Sequence, residues 1–312
     1  MNWRIKGVVQ KVLGYVPGGA HAHDLLQRRF GDLRNLQGEL DSKIEDWILM
    51  MGYLRDVGMS IAGKRLFEIG TGWYPTFPWC CYLAGAAQVI TVDLDRHLKD
   101  DLTRESVRGI GRHLPAIAQH GQTPLDEVRR RYDRLRDGIT GAVDLARATG
   151  GVIQYLPFAD ARRTGLPERS VDLVFSNSVL EHVPPDRIPD MFQESTRILV
   201  DTGLMYHGVN CGDHYAYFDT SITQLHYLQY SDAEWSMWNN DFLYQNRLRA
   251  HEFLGLAEAA GFEVIFTTAT PSEQKLAQLR GVAVHAQFAR FSPKQLCITS
   301  NDFVARKRLQ AI

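Results

Sequence analysis

The chemistry-bearing residues of this 312-residue chain start with Glu68-Ile69-Gly70-Thr71-Gly72 and continue with Asp93, the last residue of the next apolar run. Two glycines one residue apart let a backbone turn sharply and approach a ligand closely. A carboxylate ending the following strand can accept hydrogen bonds from both hydroxyls of a ribose. The turn therefore reads as a nucleotide site, and its details select among nucleotides. A dinucleotide fingerprint needs a third glycine so that pyrophosphate can sit on a helix N-terminus. Pro75 stands there instead, and it also lacks an N–H. Glu68 would repel a pyrophosphate. S-adenosylmethionine (SAM) has no phosphate and carries a sulfonium and an ammonium, so it suits this loop.

Proton-transfer candidates lie further along. His182, His207 and His214 are the candidate bases, because imidazole titrates near neutral pH. His214 is favoured: it sits in Asp213-His214-Tyr215-Ala216-Tyr217, just beyond a strand, although a histidine tied to backbone is an equal alternative. His182 follows Glu181 in a turn and can be purely structural; His207 falls inside a strand and is expected to be packed. Tyr215, Tyr217, Tyr244 and Arg247 are candidate substrate contacts, within an aromatic segment that can equally be the core of an added subdomain. Arg247 suits a carboxylate or phosphate. Ser231 and Glu234 have capping-box spacing. No H-x-x-x-H pair occurs, and no metal is expected.

These residues need elements to position them. Arg65–Ile69 and Gln88–Asp93 read as strands around a helix, a βαβ unit that implies a parallel sheet. Val152 to Leu156, Val171 to Phe175, Leu204 to Val209, Phe262 to Thr267 and Cys297 to Ala305 read as further strands. Ile188 to Leu199 and Ala250 to Ala260 read as helices. Two connections exceed what a crossover requires: a helical insertion at about 99–150, and a stretch rich in His, Tyr, Phe, Trp and Asn at 211–249. Residues 1–60 read as a helical extension, with Asp41 or Ser42 as a helix cap and Gly58 as its stop; 61–312 read as the binding domain.

At this point a family resemblance emerges. Leu66 to Gly72 resembles the first motif of class I SAM-dependent methyltransferases, Asp93 their ribose acid, and Ala159-Asp160-Ala161 their third motif. Ser170 to Val183 is similar to their fourth strand and its turn, and Arg197 to Gly203 to the turn before strand five, with Thr202 replacing a glycine. These motifs span roughly residues 64–210. The resemblance implies a Rossmann-like α/β fold: a mostly parallel sheet with helices on both faces, N-terminal helices and a helical, aromatic lid. It implies that Glu68, Gly70, Thr71, Gly72 and Asp93 bind the methionine and ribose side of SAM, that Asp160 and Ala161 flank adenine, and that Leu94 is also a cofactor-binding residue. Asn177 or Ser178 would meet the sulfonium end, with Asn177 a catalytic candidate beside His182 and His214.

The expected activity is methyl transfer to a small molecule of natural-product or sugar type. Ser176-Asn177-Ser178-Val179 stands where the family's Asn/Asp-Pro-Pro-Tyr signature for amino groups on bases or glutamine would be. Other SAM chemistry, including non-methyl alkyl transfer or cyclisation of SAM itself, is an alternative, as is a non-catalytic SAM-binding protein. A formal net charge of -1 gives no attraction for nucleic acid. Around Arg129 to Arg136, acids interleave with the arginines, which reads as a solvated helix face. Four cysteines without a CxxC pair fit a cytoplasmic protein. Ala20-His21-Ala22 looks superficially like a signal cleavage site, but Gln10 and Lys11 break the apolar run before it. Ile5, Val8, Val9, Val12 and Leu13 share one helical face, expected to pack on the domain; a membrane-surface anchor is the alternative. No run is long and apolar enough to span a bilayer.

Overall fold

A central parallel strand must be apolar on both faces. In the computed structural model, which describes residues 2–16, 32–140, 142–240 and 242–308, β1 (Arg65–Ile69) buries four of its five residues. It pairs parallel with β2 (Gln88–Asp93) on one side and β4 (Val171–Asn177) on the other. Gly70 then adopts φ +85 and Gly72 φ +72, a left-handed geometry that glycine reaches without strain. Any Cβ on Gly70 would also collide with Val179. The chain turns there into α3 (Thr76–Leu83), all of whose residues are buried.

The seven strands run in the order β3-β2-β1-β4-β5-β7-β6. β3 (Ile153–Pro157) and β5 (Leu199–Asn210) extend the parallel part. β7 (Ser300–Lys307) inserts antiparallel between β5 and β6 (Phe262–Thr267). Strand order reverses between β1 and β4, which opens a ligand crevice at their carboxyl ends. β5 begins five residues before the expected Leu204, because a register shift opposite Val171 and Leu173 absorbs the Asp201-Thr202-Gly203 turn.

Helices cover both faces. On one face, α2 (Leu36–Asp56) presses Leu40, Ile44, Trp47, Met51 and Leu54 into a core shared with α3. The same core takes residues from the insertion helices α4 (Asp100–Ile110), α5 (Leu114–His120), α6 (Leu125–Gly138) and α7 (Leu145–Thr149). On the other face, α8 (Ile188–Ile198) and α10 (Ala250–Ala259) contribute Phe192, Met191, Phe253 and Ala257. The expected cap of α2 is corrected. Leu36 and Leu40 lengthen its buried stripe, so it starts at Asn35, whose Oδ1 accepts from Gly38 N at 3.2 Å. Asp41 instead meets His113 Nε2 at 2.7 Å.

A third core joins α1 (Trp3–Tyr15), the 211–249 segment with its short α9 (Asp232–Ser236), and the region of α11 (Glu273–Leu279) and α12 (Pro293–Leu296). Here a second expectation is corrected. α1 docks through Trp3, Gly7 and Gln10, and its Ile5, Val8, Val9 and Val12 side chains are exposed. Gly7 explains the choice of face: a Cβ there would meet Tyr215 Oη at 2.9 Å and Trp238 at 3.1 Å. The missing side chain lets two aromatics reach the helix backbone. Ala20-His21-Ala22 lies outside the described residues.

Candidate functional site

A cavity of about 230 Å³ lies at the carboxyl ends of β1, β2 and β4. Gly70, Asp93, Leu94, Asp160 and Ala161 line it, together with His182. Asp93 ends β2, and its Oδ1 accepts from Gly72 N at 3.4 Å while its Oδ2 accepts from Tyr155 Oη at 3.1 Å. Burial pushes the Asp93 carboxyl up, partly offset by His97 and these hydrogen bonds. At the far end, Arg162 grips both Asp160 oxygens, with Nε at 3.0 Å from each and Nη2 at 2.6 Å from Oδ2. That pairing holds Asp160 below the usual carboxylate range.

Glu68, Thr71, Gly72, Asn177 and Ser178 do not line the cavity. Glu68 instead accepts from Thr91 Oγ1, which also contacts Thr71 Oγ1, so the three side chains knit β1, β2 and the glycine turn together. Burial pushes Glu68 up to about 8, against the pull of Thr91 and Lys43. Lys43, on α2, was not visible as a site residue from sequence. Desolvation lowers it, opposed by the charges of Glu68, Glu39, Asp46 and Asp93. Its ammonium also stands 4.4 Å from the Tyr74 ring centroid. A lysine beside a buried helix stripe has no pattern of its own that would reveal it. Asn177 Nδ2 donates to Asp46 Oδ2 at 3.1 Å and ties β4 to α2. Ser178 holds φ 54 and donates its N–H to Gly208 O at 2.8 Å, a strained turn at a strand end.

The other end of the crevice is built from short turns. His182 closes a 3-10 turn after β4, and its Nδ1–H donates to Tyr244 O at 2.6 Å. His214 opens another 3-10 turn beyond β5, its ring centroid 5.0 Å from that of His182 and 5.6 Å from that of Tyr217. Tyr217 is 56% exposed and bonded to Asn210 Nδ2. Desolvation pushes His214 down to about 3. The ring is therefore neutral at physiological pH and a weak proton acceptor. Glu181, not singled out from sequence, is buried between them, and burial pushes it up to about 8. His207 is packed inside β5, as expected, sharing a 2.7 Å hydrogen bond with Ser176 Oγ.

Two expected substrate contacts are placed elsewhere. Tyr215 is buried against Trp3 and donates to Trp238 O at 2.8 Å. Arg247 turns its Nη1 to Tyr227 O at 2.9 Å and Tyr230 O at 2.5 Å, and its Nη2 to Asp232. Both act as braces of the third core, because an aromatic subdomain leaves backbone carbonyls that need buried donors. Tyr244 remains beside the cavity through its carbonyl contact with His182.

Residues 137–207, from the end of α6 through β3, β4 and α8 into β5, match the model of a methyltransferase domain. Over that stretch the chain is similar to methyltransferase domains. No curated protein matches it. Similar solved structures include a SAM-dependent methyltransferase from Mesorhizobium loti, at 14% identity over 82% of this chain and 96% of that one, TM-score 0.42. A putative SAM-dependent methyltransferase from Listeria monocytogenes shows 12% identity over 83% and 96%, TM-score 0.46. The PH0226 protein from Pyrococcus horikoshii shows 12% identity over 86% and 91%, TM-score 0.47. The matched stretch begins beyond the Gly70–Gly72 turn, with α3, β2, α4, α5 and most of α6 between the turn and the match.

Proposed function

We propose that this chain transfers the methyl group of SAM to a small-molecule acceptor of natural-product or sugar type. The observation that carries the proposal is one cavity lined by Asp93, Asp160 and His182 together. The donor set fits SAM. Asp93 would accept from the ribose hydroxyls, Ala161 would flank the base, Leu94 would line the same cavity, and Lys43, which feels the charges of Glu68 and Asp93, would be a cation for the carboxylate. When bound, SAM supplies a methyl group activated by its sulfonium. The chain's own part is to orient the partners and keep water out. The 211–249 segment supports the second task, since Tyr215, Tyr227 and Trp235 build a packed aromatic body beside the crevice.

The charge pattern supports a small acceptor over a nucleic acid. Arg129, Arg130, Arg131 and Arg136, four of the five arginines of α6, pair with Asp126, Glu127, Asp133 and Asp137 on the same helix. Among the described residues no helix is long and apolar enough to cross a membrane. The four cysteines are free and buried, which supports the expectation of a reducing cytoplasm. Mass spectrometry of products tests the reaction. S-adenosylhomocysteine formed only with an acceptor is the expected outcome; methylthioadenosine formed from SAM alone would instead argue for cyclisation of SAM by its own amine.

A further inference from the structure

Glu181 and His214 each leave a buried polar atom without a hydrogen-bond partner, and the two residues lie in one cluster. Glu181 is 1% exposed; its Oε1 accepts from Asn210 N at 3.2 Å and its Oε2 has no partner. His214 is 9% exposed and its Nε2 has none. Such atoms are rare in folded proteins and call for a missing partner. His182 completes the group. Its Nδ1–H is committed to Tyr244 O at 2.6 Å, which leaves the lone pair on Nε2. One ligand atom from each of the three residues lies within 4.8 Å of the others.

We propose that Glu181, His182 and His214 bind one divalent first-row transition metal of the zinc type. Two imidazoles and a carboxylate are the donor set such ions take, with three protein ligands and open positions left over. Magnesium and calcium would want more oxygen ligands than the group offers. The surroundings also match a metal site. Metal-binding histidines and carboxylates are held by a second layer of hydrogen bonds. Here Tyr244 O holds the His182 ring and Asn210 N holds the Glu181 carboxylate, while Gln245 Oε1 anchors the backbone N–H of His214 at 3.2 Å. A cation would also balance a carboxylate whose other partners are backbone N–H groups. His182 lines the cofactor cavity, which puts the group at its edge, with open positions for a further ligand. If the proposed methyl transfer holds, on which this last step rests, they would take an oxygen of the acceptor.

The test uses the full-length protein, stripped with a chelator and dialysed against zinc or cobalt(II). One equivalent of metal by elemental analysis is expected, with cobalt giving the visible bands of a low-coordinate site. Glu181→Gln and His214→Ala should each weaken binding by roughly tenfold or more. His113→Ala, which removes a histidine paired with Asp41 away from the site, should not. Glu181→Gln keeps an acceptor for Asn210 N–H, so an unchanged melting curve separates ligand loss from misfolding. Wild-type protein that holds no metal, or variants that keep wild-type affinity and spectrum, would overturn the site. Calorimetry of SAM with metal-free protein distinguishes the two ideas. Absent SAM binding would sink the methyltransferase reading while the metal result stands or falls by itself.

Discussion

The two ends of the crevice are positioned by different means. At the cofactor end, Gly70 and Asp93 sit at the ends of strands held in register by continuous backbone ladders, from Arg65 opposite Gln88 to Ile69 opposite Val92. At the other end, His182 and His214 sit on 3-10 turns that depend on the side chains of Gln245 and Asn246 and on the carbonyl of Tyr244. Asn246 Nδ2, for example, donates to Leu180 O at 2.7 Å and Val183 O at 2.8 Å. A ladder places a side chain through local rules that any sheet obeys. A turn braced by distant side chains exists only because those particular partners are present. The second end should therefore be more sensitive to single substitutions remote from the cavity.

Arg249 offers the most severe way to break that contrast. It is fully buried, and its guanidinium donates to Cys211 O, Tyr227 Oη, Leu296 O and Ile298 O at 2.6–2.9 Å. Arg249→Met strands these acceptors and should cost about 3–5 kcal/mol of stability in chemical denaturation. Arg249→Lys reaches fewer of them and should fall between. A loss below about 1 kcal/mol for the methionine variant would mean that the 211–249 segment is not held by this residue.

Asp93 tests the other end. Asp93→Asn keeps the side chain's size and removes the charge that strengthens hydrogen bonds from ribose hydroxyls. A hydrogen bond to a charged group contributes about 1.5–3 kcal/mol, so SAM should bind roughly 10–100-fold more weakly by calorimetry. The melting temperature without ligand should hardly change, because relief of a desolvated carboxylate offsets the loss of the Gly72 and Tyr155 contacts. Unchanged SAM affinity would remove Asp93 from the site.

How much of this was legible in the sequence follows the same division. Arg65–Ile69, Gln88–Asp93 and Phe262–Thr267 have the bounds read from sequence, because short apolar runs closed by glycine or an acid leave few alternatives. The place of β7 between β5 and β6 was not legible, since sequence lists strands but does not order them in space. Arg247 and Tyr215 looked like substrate contacts because composition cannot tell a brace from a ligand. Glu181, beside two histidines that were singled out, was passed over: its significance lies in an unpartnered atom, which only packing reveals.

Acid sensitivity gives a smaller effect, on α8. Glu194 accepts from Thr164 N at 2.9 Å and pairs with Arg197 at 2.7 Å. The Arg197 hydrogen bonds, with help from Thr164 and against some desolvation, hold its carboxyl down at about 2. A folded pKa below the unfolded one contributes stability that is complete above the unfolded value and is lost as pH falls towards the folded one. The pair should thus stabilise the protein fully above about pH 4.5 and progressively less down to about pH 2. Glu194→Gln should cost about 1.5 kcal/mol at neutral pH and flatten the acid limb of a stability–pH curve. An unaltered limb would place the acid sensitivity elsewhere.

The smallest effect concerns α1, where sequence periodicity and structure disagree about which face is buried. Val12 belongs to the apolar stripe yet is 56% exposed. A surface substitution away from caps and partners usually changes stability by no more than about 0.5 kcal/mol. Val12→Glu should stay within that range. Burying the same glutamate without a partner would cost several kcal/mol, roughly as much as removing a buried aromatic. Trp3→Ala on the opposite face supplies the contrast, since Trp3 packs against His226 and Trp238 at centroid distances of 4.7 and 4.6 Å. Proteolysis that releases α1 from the Trp3 variant and leaves the Val12 variant intact would establish the glycine-and-tryptophan face as the docking face. The reverse pattern would restore the valine stripe, and with it the rule that the more apolar face is the buried one.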